Sequence, residues 1–290
     1  MASRKHIQKQ LQGLQTMQVL TQTYAEIAAL RMKKIRESVV ISRGYYSGIF
    51  EIFQEVLASY VQKARLLAKK KRGGGVTFLS HNGRSVAVLF SSQVGLYGDI
   101  VNRTFDLFIE EVKKGNLEAT IIGRYGMALF SEALPNHPVT FFDFPDEGTN
   151  DELFAQIARH LVQYESIELF YPKFKNLVTQ DPVQQKVSSE PPLDIEGGTV
   201  IKYIFEPDLD GLLVFFETEV FKSVFEQTIQ ESRLAKHAAR IVAMESAREH
   251  IQKSLDKTLI ERTRALHRIQ NKKQLSAFAG LQGFQERSGY

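Results

Sequence analysis

Four sets of residues in this chain have types or spacings from which chemistry could be built. Gly95-Leu96-Tyr97-Gly98 stands between a short apolar run and a helical pattern, where loops that cradle phosphate lie. The turn lacks the third glycine of a G-x-G-x-x-G fingerprint and the Lys-Ser/Thr of a P-loop. Asp99, directly behind it, would repel a phosphate, so a tight strand-to-helix turn is the expected use. The seven histidines (His6, His81, His137, His160, His237, His250 and His267) show no metal-ligand spacing such as H-x-x-x-H. His160 and His237 fall in helical patterns and are expected to face water or a partner. Asp143, Asp146, Glu147 and Asp151 gather near one loop with no base, nucleophile or metal-ligand set beside them, which predicts a solvated acidic face. No serine has a readable histidine and aspartate arrangement, and neither catalysis nor a cofactor nor a metal is expected. Arg31-Met32-Lys33-Lys34-Ile35-Arg36 and Lys69–Arg72 could contact nucleic acid, but no aromatic residues interleave with them. Solvated helix faces are expected there, with no nucleic-acid partner.

The elements around these residues follow from periodicity. From Ile7, apolar residues recur at steps of three and four (Leu11, Leu14, Met17, Leu20, Tyr24, Ile27, Leu30), which predicts a helix running to about residue 70, with Gly44 and Gly48 as points of bending or partial break. After Gly73-Gly74-Gly75 the pattern changes. Ser85–Ser91 reads as a buried strand and Asp99–Lys114 as a helix stopped by Gly115-Asn116. Strands are expected at Ala119–Gly123, Val139–Phe144, Ser166–Phe174 and Thr199–Phe205. A helix is expected at Asn150–Tyr164 with Asn150 as its N-cap. Thr179–Gly198, rich in Pro, Gln, Ser and Gly, reads as a surface loop or turn. A last helix, capped by Asp208 or Asp210, runs to about Gly280, with no Gly or Pro from Leu212 to Ala279.

Charge divides the chain in the same way. Residues 1–72 hold 14 Lys/Arg against 4 Asp/Glu, residues 231–290 hold 12 against 6, and the 158 residues between them hold 11 against 23. A long amphipathic helix without a core of its own is marginal in water, so the two basic ends are expected to pair. The predicted fold is therefore α/β plus long helices. The N- and C-terminal helices form an antiparallel two-helix coiled coil, and a Rossmann-like, small, mostly parallel sheet flanked by helices is inserted between them. The divisions are 1–72, 73–206 and 207–290. With 43% hydrophobic residues and 20 Phe the chain can build a core, and with no Cys it has no disulfide or thiolate chemistry. The longest apolar runs, Val86–Phe90 and Leu212–Phe216, are far short of a membrane span of about 20 residues. The N-terminus has charge without a following apolar region and does not read as a secretory signal.

At three places the sequence resembles the gamma subunit of F-type ATP synthases. Ala2-Ser3 to Ile7, Thr16-Met17-Gln18-Val19-Leu20-Thr21 and Ala28-Ala29-Leu30-Arg31-Met32-Lys33-Lys34 are similar to the family's first helix, A-S-x-x-x-I, T-x-x-I-T and A-A-x-K-M-R. Ser91-Ser92-Gln93-Val94-Gly95-Leu96-Tyr97-Gly98 resembles its T-S-D-R-G-L-C-G, and Glu231-Ser232 with His237 to Met244 resembles its E-x-x-x-x-x-H/E-A-A-R-M-V/A-A-M. Gln93-Val94 replaces the family's Asp-Arg. Across Arg262–Lys272, aligned with N-x-A-R-Q-A-x-I-T-x-E, only Ile269 is cleanly kept, while Leu266 and Gln270 replace polar positions that touch the beta subunit.

The resemblance implies a non-catalytic rotor shaft that couples proton-driven rotation of a membrane ring to ATP synthesis on an alpha–beta hexamer. Its partners would be the alpha, beta and epsilon subunits and the c-ring, with no nucleotide bound by the chain itself. It would sit peripherally at the cytoplasmic face of a bacterial plasma membrane. The basic faces Arg31, Lys33, Lys34 and Arg36, and Arg262, Arg264, Arg268, Lys272 and Lys273, are the expected subunit interface, setting steering and register. Two rivals are a coiled-coil adaptor with a partner-binding α/β domain and a nucleotide-dependent enzyme built on residues 76–206.

Overall fold

In the computed structural model, the residues described are 4–59, 82–146, 148, 150–188 and 209–285. Five strands form one sheet: β1 (Ser85–Phe90), β2 (Glu118–Ile122), β3 (Val139–Phe142), β4 (Ser166–Phe174) and β5 (Gln180–Ser188), in the order β3-β2-β1-β4-β5. The first four are mutually parallel and β5 is antiparallel to β4. Helices α2 (Ile100–Lys113), α3 (Arg124–Ala133) and α4 (Asp151–Leu161) make the crossovers, and α1 (Arg4–Ser59) and α5 (Leu209–Gln285) lie before and after the sheet.

β1 and β2 are buried on both faces, which is why they read as unbroken apolar runs rather than alternating ones. On one face Val86, Val88, Phe90, Ile122, Ile167, Leu169 and Tyr171 pack on Ile157 and Leu161 of α4 and on Phe225 and Ile229 of α5. On the other, Ala87, Leu89, Ile121 and Phe170 pack on Phe105, Phe108 and Val112 of α2 and Phe130 of α3. The sheet's core therefore takes in part of the last helix. Asn150 caps α4 as its sequence predicts, its side-chain oxygen accepting from the Leu153 N–H at 3.0 Å.

The chain divides into two compact units, and α1 and α5 each contribute to both. In the unit made of residues 1–27 and 243–290, Ile7 and Leu11 pack against Leu255, and Gln18 Nε2 donates to Gln252 Oε1 at 3.0 Å. The two segments run antiparallel there. In the unit made of residues 28–242, Tyr45 donates its hydroxyl to Glu219 at 3.3 Å, and α1 continues through Gly44 and Gly48 without interruption.

Several sequence readings are corrected. Residues 180–188 are strand, not loop: β5 pairs with β4 along its whole length, and as an edge strand it tolerates Pro182. Arg124–Ala133 forms a helix that periodicity did not reveal in so short a segment. Asp210 lies inside α5 rather than at its cap, and Asp208 is outside the described residues. So are the strand read at Thr199–Phe205 and the extension of α1 beyond Ser59.

Candidate functional site

In a doubly wound sheet, ligands settle outside the carboxyl ends of the strands, at the point where successive crossovers depart in opposite directions. Here that point lies between β1 and β4, and the residues just past β1 are Ser91 to Gly98. The chain itself occupies the crevice. All ten residues of α5 from Glu231 to Arg240 are buried, a helix covered on every side. Arg233, Lys236 and Arg240 recur at steps of three and four, which aligns them on one face.

Each of the three cations meets acceptors on the loops beyond the strands. Lys236 Nζ donates to the Ser91 carbonyl at 2.8 Å and to Asp146 Oδ1 at 3.0 Å. Asp146 Oδ2 accepts from the Gln93 N–H at 2.8 Å and from the Tyr97 hydroxyl at 3.2 Å. Arg233 donates to the carbonyls of Pro145 and Gly148 at 2.9 and 2.8 Å and lies over the Phe144 ring. Arg240 donates to the Leu96 carbonyl at 3.2 Å and the Gly95 carbonyl at 3.4 Å. Gln93 closes the group, its side-chain amide donating to Asp143 Oδ1 at 2.7 Å and the Phe144 carbonyl at 2.6 Å.

The electrostatics follow from burial. The side chains of Lys236 and Asp146 are 7% and 11% exposed. Burial lowers the Lys236 pKa, opposed by the Asp146 charge. Burial alone would raise the Asp146 carboxyl, but Lys236, the Gln93 N–H and the Tyr97 hydroxyl together hold it below the ordinary carboxylate range. A buried ion pair of this kind contributes little net stability when intact, while removal of one partner is costly.

Leu96 takes a left-handed φ of 68°, and the turn presents carbonyl oxygens to Arg240. A phosphate loop presents N–H groups. The Gly95–Gly98 turn is thus an acceptor for the protein's own arginine. The acidic face read at Asp143 and Asp146 is corrected: Asp143 is paired with Arg124 and Gln93, and Asp146 is buried. Asp143, though paired, remains exposed, as does Asp151 in the first turn of α4, and Glu147 is outside the described residues.

His237 is likewise not at the surface. It is buried, its ring stands edge-on to Tyr97 with centroids 6.2 Å apart, and its Nδ1 has no hydrogen-bond partner. His160 is half-buried, near Phe142 and Tyr164, with Nε2 3.2 Å from the Thr120 hydroxyl. The Tyr164 hydroxyl donates to Glu118 at 2.7 Å; burial first, then the Glu118 carboxylate, pushes Tyr164 up to about 12. An open depression of about 730 Å³ lies at the opposite, amino ends of β1 to β3, lined by Arg84, Asn116, Glu118 and His137 among others. Arg84 and Glu118 pair with each other at 2.6 Å. Among the described residues no group of three or more His, Asp or Glu could hold a metal ion.

The residues expected at a subunit interface fall in two sets. Lys33, Lys34 and Arg36 are exposed on α1, where Arg31 is half-buried; Arg262, Arg264, Arg268, Lys272 and Lys273 are exposed on α5 in the other compact unit. Sequence reasoning gave no role to Arg233 and Lys236, and Arg240 entered only as part of the segment that resembles the family. The signal was present in their spacing on one helical face opposite the carboxylates at Asp143 and Asp146.

The class that the fold defines is a doubly wound α/β domain whose ligand crevice is filled by the chain's own long helix. The comparisons name the family. A family model described as ATP synthase matches residues 3–266, and the chain belongs to that family. The ATP synthase gamma chain of Geotalea uraniireducens is 26% identical over 284 residues, covering 91% of this chain and 93% of that one. The gamma chain of Pelotomaculum thermopropionicum is 22% identical over 288 residues, covering 97% and 98%. In fold, the chain is similar to solved structures of mitochondrial ATP synthases. One is the central stalk and c-ring of Tetrahymena thermophila, with TM-score 0.54 and 19% identity over 79% of this chain and 99% of that one. Another is the Euglena gracilis OSCP, F1 and c-ring assembly, with TM-score 0.56 and 12% identity over 90% and 97%. The chain is a gamma-type, non-catalytic subunit. Among the described residues no helix is long and apolar enough to cross a membrane.

Proposed function

We propose that the chain is the central-stalk shaft of an F-type ATP synthase, turning with a membrane c-ring and presenting its coil to an alpha–beta hexamer. The sheet domain would rest on the ring beside an epsilon subunit, at the cytoplasmic face of a bacterial plasma membrane. Rotation would bring different faces of the shaft to each beta subunit, and the shaft can bias the open and closed states of a beta subunit only by contacting them differently.

The observation that carries this reading is the filled crevice: the domain is fastened to α5 by three buried cations where a Rossmann-like enzyme would hold a nucleotide. Surface chemistry supports it as well. In the unit made of residues 1–27 and 243–290, Met17, Val19, Leu20, Ile260, Leu275 and Phe278 are all exposed. These side chains are available for burial against a partner subunit. Arg31, Lys33, Lys34 and Arg36, with Arg262, Arg264, Arg268, Lys272 and Lys273, would then set steering and register against acidic partner segments.

The test is a pull-down of the full chain from gently solubilised membranes, followed by identification of its partners. Recovery of alpha, beta and epsilon subunits with the ring is expected. Recovery of other proteins without alpha and beta would favour the adaptor and overturn the rotor role.

A further inference from the structure

The sheet domain is held on α5 by contacts of two kinds. Apolar packing through Phe225 and Ile229 is broad and tolerant of small rotations of a helix about its axis. The polar contacts are directional. Lys236 reaches a backbone carbonyl at the end of β1 and a carboxylate on the loop after β3, so it ties α5 to two separate strands at once. Asp146 is itself aimed by the Gln93 N–H and the Tyr97 hydroxyl, both from the turn after β1.

Gln93 is a neutral member of this polar group. An aspartate here would face Asp143 and Asp146 as a third carboxylate, whereas the Gln93 amide donates to Asp143 and to the Phe144 carbonyl. The neutral residue at 93 and the cation at 236 are therefore matched to the same loop.

We propose that Lys236, seated on Asp146 and Ser91 and braced by Gln93, is a positioning residue that fixes the rotational setting of α5 on the sheet domain. It works as a key against slip between α5 and the sheet within the unit of residues 28–242. Loss of the key leaves the apolar packing in place and frees the angle. The consequence for rotation rests on the central-stalk reading; the angular fixing does not.

The test uses the full chain, whose lack of cysteine lets two introduced thiols be labelled uniquely. Spin labels at Glu226→Cys on α5 and Asp106→Cys on α2, both exposed positions in one compact unit, report the angle through their distance distribution. Otherwise unaltered protein should give one narrow peak. Lys236→Met and Asp146→Asn should each broaden or split it at temperatures where circular dichroism shows both folded, while Lys236→Arg should keep it narrow. If Lys236→Met fails to fold, Asp146→Asn, which preserves volume, decides. A distribution as narrow in these variants as in the parent overturns the proposal. In the assembled complex, Lys236→Met should lower the protons pumped per ATP hydrolysed while hydrolysis continues; an unchanged ratio overturns the claim for rotation. Failure to recover alpha and beta subunits in the pull-down would strike the central-stalk reading alone, since the label measurement needs no partner.

Discussion

The guanidinium carbon of Arg240 lies 3.8 Å from the centre of the Tyr97 ring, close enough to stack on it, while its nitrogens reach the carbonyls of Gly95 and Leu96. One side chain thus holds both the aromatic residue and the backbone of the turn after β1. Lysine carries the charge but lacks the planar fork. Arg240→Lys is expected to lower stability by about 1–3 kcal/mol, through lost stacking and weakened hydrogen bonds to buried carbonyls. Urea denaturation of the two proteins measures the difference, and equal midpoints would show that the stack contributes nothing.

A second prediction concerns acid. Burial first, then the charges of Lys236, Arg240 and Arg31, hold the His237 imidazole at about 4, with Asp146 opposing. The unfolded chain has the ordinary value of 6.5 and binds the proton first. The folded pKa is the lower one, so this contribution to stability is complete above 6.5 and is lost as pH falls toward about 4. The full loss is roughly 3 kcal/mol. Asp146, also depressed, adds a loss only below the ordinary carboxylate range. His237→Gln should flatten the stability profile between neutral pH and the lower end of the histidine window. A profile parallel to the parent's would exclude His237 as its source.

Close approach of α3 to the end of β1 gives a third. A Cβ on Gly126 would stand 2.6 Å from Ser91 Cβ and 3.0 Å from Leu89 Cδ2. Gly123 is more constrained, with φ at 108° and the Ser92 carbonyl oxygen 2.8 Å from where a Cβ would lie. Gly126→Ala should cost about 1–3 kcal/mol by overpacking, and Gly123→Ala more, because backbone must move. Thermal melting of both variants ranks them, and a Gly123→Ala protein as stable as the parent would contradict the geometry.

The fourth addresses the exposed basic faces. Reversing the charge of Lys33, Lys34, Lys272 and Lys273 together should leave the melting temperature of the isolated chain within a degree or so, since each side chain is exposed. ATP-driven proton pumping by the assembled complex should fall, and more so at low salt. Undiminished pumping would remove electrostatics from the coupling account.

Much of the sheet was legible in the sequence because burial on both faces writes a simple code. Ser166–Phe174 was read with its observed limits, and Ser85–Ser91 and Ala119–Gly123 within one residue. β5 escaped because an edge strand with one neighbour can be built from Gln, Lys and Pro and so looks like loop. α3 escaped because Gly126, needed for its approach to Ser91, breaks up a pattern only ten residues long. The clamp that Arg233, Lys236 and Arg240 form on the loops beyond the strands escaped for a different reason. Buried lysine and arginine are rare, and only the pairing of residues more than eighty positions apart reveals why Arg233 and Lys236 are buried here.

That clamp bears on any attempt to drug the domain. A small molecule aimed at the carboxyl ends of the strands would meet a competitor that is covalently tethered and never diffuses away. Tethered groups act at effective concentrations on the order of millimolar. Inhibitor searches against this subunit are better directed at the outer surfaces of its helices than at the place where its architecture would invite them.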